Sequence, residues 1–122
     1  MSADAWVYQG EDRTLQVTVY QDEAKTMLRD LTGFSVLAYR VGELKDDMTR
    51  LNLTEVANAN GSVVSFGSPR ADGVIDITIS ADDSAALPAR DWDHQLFITD
   101  SGANDGVVVA GKLTVKKRLK AV

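Results

Sequence analysis

The sequence predicts an all-β domain, built as a two-sheet sandwich or a small barrel. Short stretches of alternating apolar and polar residues recur along the chain. Period two with β-branched residues marks strands that keep one face wet. Turn formers interrupt these stretches about every eight to twelve residues, the spacing of sandwiches and barrels. Only Ser80 to Leu87 has helical features. The expectation is about seven to nine short strands and one short helical turn near 81–87.

Trp6-Val7-Tyr8 is a short apolar start, expected as an edge strand, and Gln9-Gly10-Glu11-Asp12 is a polar turn. From Arg13 to Tyr20, Leu15, Val17 and Val19 point one way and Thr14, Gln16, Thr18 and Tyr20 the other. Gln21 to Lys25 is a charged loop, Leu28 and Leu31 flank Arg29-Asp30, and Thr32-Gly33 turns the chain. Phe34 to Val41 carries apolar side chains on both faces, which predicts a strand covered on both sides. Charges at Glu43, Lys45, Asp46 and Asp47 precede a weaker strand over Leu51 to Val56. Asn58-Ala59-Asn60-Gly61 is a turn, Ser62 to Phe66 a short strand, and Gly67 to Arg70 a connection.

The stretch from Asp72 to Asp100 anchors the rest. Asp72-Gly73 is a turn dipeptide. Ile75, Ile77 and Ile79 then alternate with Asp76, Thr78 and Ser80. Burying each isoleucine is worth about 1.5–3 kcal/mol. Ser80 stands where a helix N-cap stands, with Asp83 at the position of the capping-box acid and Asp82 and Asp83 suited to the positive helix end. Leu87 is expected to plug the core, and Pro88 ends the turn. In the following strand Trp92, His94, Leu96 and Ile98 share one face, and Asp93, Gln95, Phe97 and Thr99 the other. Asp100 to Gly106 is a hairpin loop, and Val107 to Lys116 returns. Gly111 interrupts that strand, which predicts a bulge there with Val109, Leu113 and Val115 inward.

One domain spanning 1–122 accounts for the length. The absence of cysteine excludes disulfides, thiolate zinc and thiol catalysis. No apolar run approaches the roughly 18–20 residues that span a bilayer, so no membrane partner is expected. Met1 to Ala5 lacks the features of a signal peptide. The net charge of −5 disfavours nucleic acid. Basic residues gather late in the chain at Lys116, Lys117, Arg118 and Lys120; the remainder holds nine basic against eighteen acidic residues. Such a cluster keeps a final strand soluble and unpaired, or meets acid on a neighbouring subunit.

No catalytic, cofactor or metal constellation is found. His94 is the sole histidine and shares its face with Trp92 and Leu96, so it is expected to be packed. Asp93 points to the opposite face. Asp100 to Asp105 is rich in oxygen donors but lacks the spacing of a calcium loop. Trp6, Tyr8, Tyr20, Tyr39 and Trp92 are either scattered packing residues or, where exposed together, a sugar- or protein-binding face.

Four segments carry a family resemblance: Asp30-Leu31-Thr32-Gly33-Phe34; Asp72 through Ser80 continuing to Leu87-Pro88; Trp92 through Asp100; and Gly111-Lys112-Leu113-Thr114-Val115. In this order they resemble the N-terminal domain of BppU-type baseplate upper proteins of tailed phages, over roughly residues 9 to 119. That resemblance implies an immunoglobulin-like β-sandwich. It also implies a non-enzymatic virion structural protein, a tail, baseplate or attachment-adaptor subunit of a phage or prophage. Its partners would be other virion proteins and further copies of itself, in a particle assembled in the host cytoplasm. Family members place glycine and an aromatic after Leu-Pro; here Ala89-Arg90-Asp91 intervene, which predicts a longer loop. The related domain often opens a longer, receptor-binding protein, whereas this chain stops at Val122, which favours a small attachment, adaptor or decoration subunit. The expected contact residues are Trp6, Tyr8, Lys116, Lys117 and Arg118. Deleting residues 1–8, or reversing the basic charges, is expected to weaken assembly and leave the domain folded. The alternative is a carbohydrate-binding module, which requires two coplanar exposed aromatics or a bound calcium.

Overall fold

A computed structural model describes residues 4–20, 31–45, 48–100 and 105–117. Among them lie eight strands: β1 Ala5–Tyr8, β2 Arg13–Thr18, β3 Phe34–Glu43, β4 Met48–Thr54, β5 Val63–Phe66, β6 Val74–Ile79, β7 Asp91–Asp100 and β8 Asp105–Lys116. One helix, α1 Ala81–Ala86, joins β6 to β7. The strands form two sheets, ordered β1-β8-β7-β3-β4 and β2-β6-β5. The chain is therefore an all-β two-sheet sandwich. The order β2-β6-β5 repeats B-E-D of an immunoglobulin sandwich, and β3-β7-β8 repeats C-F-G, with β4 added beside C. The first strand departs from the seven-stranded form of that fold. β1 pairs in parallel with β8, Tyr8 opposite Lys116, and not with β2.

The alternation on β6 and β7 is seen as expected. Ile75, Ile77 and Ile79 are buried from one sheet, and Trp92, His94, Leu96 and Ile98 from the other. Leu15, Tyr39, Val64, Leu113 and Val115 complete the layer between them. Asp93, Gln95, Phe97 and Thr99 face outward, half-buried. β3 corrects its expectation. It is central, and Leu37, Tyr39 and Val41 are buried, but Arg40 on the other face is exposed and Ala38 half-exposed. Apolar residues on both faces reflected a central position in one sheet, not a cover on both sides. The expected bulge at Gly111 is also moved. Gly111 pairs with His94 in register, and the irregularity falls where Leu96 faces Val109 and Phe97 faces Val107.

The β3–β4 hairpin carries a second register shift, between Val41 and Gly42. There the two backbones approach closely, and a Cβ on Gly42 would run into the Met48 carbonyl. Gly42→Ala is expected to cost about 1–3 kcal/mol, the range for forcing an extra carbon into a packed site. Chemical denaturation measures it.

Around α1 the turns are clipped together. Ser80 caps the helix, accepting from the Asp83 amide at 3.2 Å. The Asp83 carboxylate does not complete the expected box. It leaves the Ser80 amide to the Ser62 hydroxyl at 2.8 Å and accepts from Asn58 and Asn60 at 2.8 Å each, and from Ser62. The β1–β2 turn is held from the other side. Gln9 donates to the Leu87 carbonyl at 2.7 Å, and the Gly10 amide to Ser84 Oγ at 3.0 Å. Gly10 takes a positive φ of 78°, which glycine allows without strain.

Candidate interaction surface

Strand alternation and the β1–β8 register build the surface. Val7 points inward and is fully buried, so its neighbours Trp6 and Tyr8 point outward. Trp6 is 40% exposed, more than any other aromatic side chain among the described residues. Its ring meets that of Tyr8 edge-on, centroids 5.4 Å apart and planes at 78°. Parallel pairing sets Lys116 directly beside Tyr8. The Lys116 Nζ lies 4.8 Å from the Trp6 centroid and 5.8 Å from that of Tyr8. Ammonium groups within about 6 Å of a ring face are attracted by its quadrupole.

Of the five expected contact residues, Trp6, Tyr8 and Lys116 are thus gathered into one cluster. Lys117 is exposed and follows the end of β8. Arg118 lies outside the described residues, as do Lys120, Gln21 to Asp30 and residues 101–104. A fourth member was missed in the sequence. Arg13, the first residue of β2, places its guanidinium carbon 4.0 Å from the Trp6 centroid. Its Nε is buried with no hydrogen-bond partner, and the ring is what it rests against. The signal available was an arginine directly after a tight turn from an aromatic strand. Trp6 therefore carries two cations.

The other expected aromatics do not join it. Tyr39 and Trp92 are each 1% exposed, and Tyr20 is half-buried at the end of the β2 segment. Tyr39 Oη lies 2.8 Å from His94 Nδ1, with the rings edge-on at 5.6 Å. Burial pushes the Tyr39 hydroxyl well above its ordinary pKa. His94 is 4% exposed, packed as its face predicted.

Two ion pairs lie elsewhere, beside the outer face of the five-stranded sheet. Arg90 meets Glu43 at 2.7 Å, and Lys112 meets Asp93 at 2.5 Å. The Lys112 hydrogen bond, aided by the Leu44 amide, holds the Asp93 carboxyl below its ordinary value. A half-open depression of about 100 Å³ lies there, lined by residues that include Arg40, Glu43, Met48, Asp93 and Phe97. It is smaller than the roughly 300 Å³ at which ligand pockets begin. Among the described residues no group of three or more His, Cys, Asp or Glu side chains is placed to hold a metal ion. No described helix is long and apolar enough to cross a membrane.

The structure also changes what a deletion would do. Val7 is fully buried, and β1 supplies backbone partners to β8. Removing residues 1–8 would empty part of the core, so outward side chains are the proper targets. The chain matches no model of a known protein family and no curated protein.

Proposed function

We propose that this protein is a non-enzymatic structural subunit of a tailed-phage virion, in the tail, baseplate or host-attachment apparatus, acting through protein–protein contacts. The observation that carries the contact role is the rim cluster of Trp6, Tyr8, Arg13 and Lys116, where exposed aromatic surface on β1 meets one cation from β8 and one from β2. Tryptophan, tyrosine and arginine are the side chains that dominate interface energetics. The basic charge favours an acidic patch on the neighbouring subunit. The phage setting rests on the resemblance of the four sequence segments to the BppU-type domain. A sugar-binding reading is less well supported, because the Trp6 and Tyr8 planes cross at 78° and offer no flat two-ring platform.

The test is incorporation into particles by a chain carrying both Trp6→Ala and Lys116→Glu. Neither side chain is buried in the core, so the melting temperature should stay within a few degrees of wild type. Incorporation is expected to fall by about tenfold or more, the equivalent of losing one interface anchor. Wild-type levels of the variant in purified particles would count against the reading.

A further inference from the structure

We infer that Asn60–Gly61 is a site of spontaneous covalent modification, and that the hydrogen bond from its carboxamide to Asp83 keeps it closed in the folded chain. The reaction is deamidation. The Gly61 backbone nitrogen gives up its proton and attacks Cγ of Asn60. The bond from Cγ to Nδ2 breaks, and that nitrogen leaves as ammonia. The five-membered succinimide that remains takes up water at either carbonyl, which leaves an aspartyl or an isoaspartyl residue at position 60. One water is consumed and one ammonia released, with no change of oxidation state. Asparagine is a thermolabile residue, and a following glycine obstructs the attack least, because no Cβ stands beside its nitrogen. Asn52, Asn58 and Asn104 are followed by Leu53, Ala59 and Asp105, so Asn60 alone has this follower.

Two structural demands put the labile pair here. Gly61 takes a positive φ of 89°, which a residue with a side chain rarely adopts. A Cβ built there would meet nothing within 4 Å, so conformation and not room selects glycine. Asn60 supplies a neutral donor, its Nδ2 giving a hydrogen bond of 2.8 Å to Asp83 Oδ1. A carboxylate at position 60 would offer no donor at neutral pH. Both residues are exposed, so water reaches the pair.

The folded geometry opposes the reaction at both of its atoms. The Gly61 N–H donates to the Asn58 carbonyl at 3.0 Å, which keeps its proton in place. The Asn60 carboxamide is drawn to Asp83, and its own backbone N–H donates to Asn58 Oδ1 at 3.0 Å. The Asn58 amide closes the turn on the Ser62 carbonyl at 2.9 Å. Attack therefore waits for the turn to open, and its rate is scaled by the open fraction. The product does not close again. An aspartyl carboxylate at position 60 replaces a donor with a like charge at hydrogen-bond distance from Asp83. An isoaspartyl residue adds a carbon to the main chain between the amides of positions 60 and 61, both of which Asn58 holds. Modification is thus a one-way loosening of the β4–β5 turn, faster wherever the Asp83 contact is released first.

Mass spectrometry of proteolytic peptides from the full chain, incubated at mildly alkaline pH, tests this. Folded wild type is expected to convert at position 60 about tenfold or more slowly than the same chain unfolded in guanidinium chloride. Asp83→Ala, verified as folded by a thermal melt, should lose about tenfold of that protection, the equivalent of one hydrogen bond to a charged group. Asp83→Asn, which keeps one acceptor oxygen, takes its place if the alanine variant is unfolded. Gly42→Ala disturbs the β3–β4 hairpin and leaves every bond to Asp83 in place, so its rate should stay near that of wild type. Asn60→Asp, which stands for one product, should melt about 5 °C or more below wild type. Equal rates in the folded and unfolded chain, an Asp83 variant no faster than wild type, or Gly42→Ala as fast as the Asp83 variant would overturn the inference. So would an Asn60→Asp chain that melts with wild type.

Discussion

Replacing Asp83 with alanine is expected to destabilise the domain by about 2–4 kcal/mol, since hydrogen bonds to a charged group contribute about 1.5–3 kcal/mol each and are not additive. Asp83 is 7% exposed and accepts from Asn58, Asn60 and Ser62, tying the β4–β5 turn to α1. Ser62 is fully buried, so its hydroxyl cannot turn to water when the acceptor is lost. Burial pushes the Asp83 carboxyl up, but hydrogen bonds from Asn58, Ser62, Asn60 and Ser80 outweigh it, and the net pKa is lowered. The sign for stability follows. A carboxyl with a depressed folded pKa stabilises above its unfolded value near 4 and loses that contribution as pH falls through the folded value. Urea titrations of wild type and Asp83→Asn should therefore differ most at neutral pH and converge below about pH 4. A gap of the same size at acid and neutral pH would show that Asp83 is not held as a carboxylate.

Trp92→Ala is the second large effect, at about 3–5 kcal/mol, the range for truncating a buried aromatic. The indole is 1% exposed at the start of β7, and its Nε1–H donates to the Pro88 carbonyl at 2.9 Å. That bond fixes the corner between α1 and β7. The Arg90 and Arg50 guanidinium carbons lie 4.5 and 5.6 Å from the ring centroid. Trp92→Phe keeps most of the apolar volume and loses the donor. Its cost should be about 1–3 kcal/mol, from the orphaned carbonyl and the smaller ring. Equal losses for the two variants in denaturant titrations would show that the corner hydrogen bond, not ring volume, carries the effect.

The parts of the fold that depend on local pattern were legible. The isoleucine alternation of β6, the faces of β7 and the Ser80 cap all follow from neighbouring residues. What needed the third dimension was not. Asp83 has the spacing of a capping acid, yet its partners stand 21 to 25 positions earlier, on a turn that only the sheet pairing brings near. Gly111 suggested a bulge because glycine weakens strands, whereas register was set by the opposing strand at Leu96 and Phe97. In the rim cluster, Trp6 and Tyr8 were readable as edge residues, whereas the final strand that carries Lys116, expected to be unpaired, lies between β1 and β7. Arg13 was not read, because its alternation placed it with β2 and only the tight turn after the aromatic strand hinted at the Trp6 ring.

Amide hydrogen exchange on the protein, free and incorporated in the particle, tests most directly whether the rim of the β1–β8 pair is the working surface. Trp6 and Tyr8 turn their backbone amides away from β8, as the Gln9 amide bond to the Lys116 carbonyl implies. Their exchange should slow on incorporation, together with segments flanking Lys116, while the outer face around Arg40 and Phe97 stays unchanged. Protection confined to the Arg40–Phe97 face, with the β1 amides exchanging as in the free chain, would contradict the account.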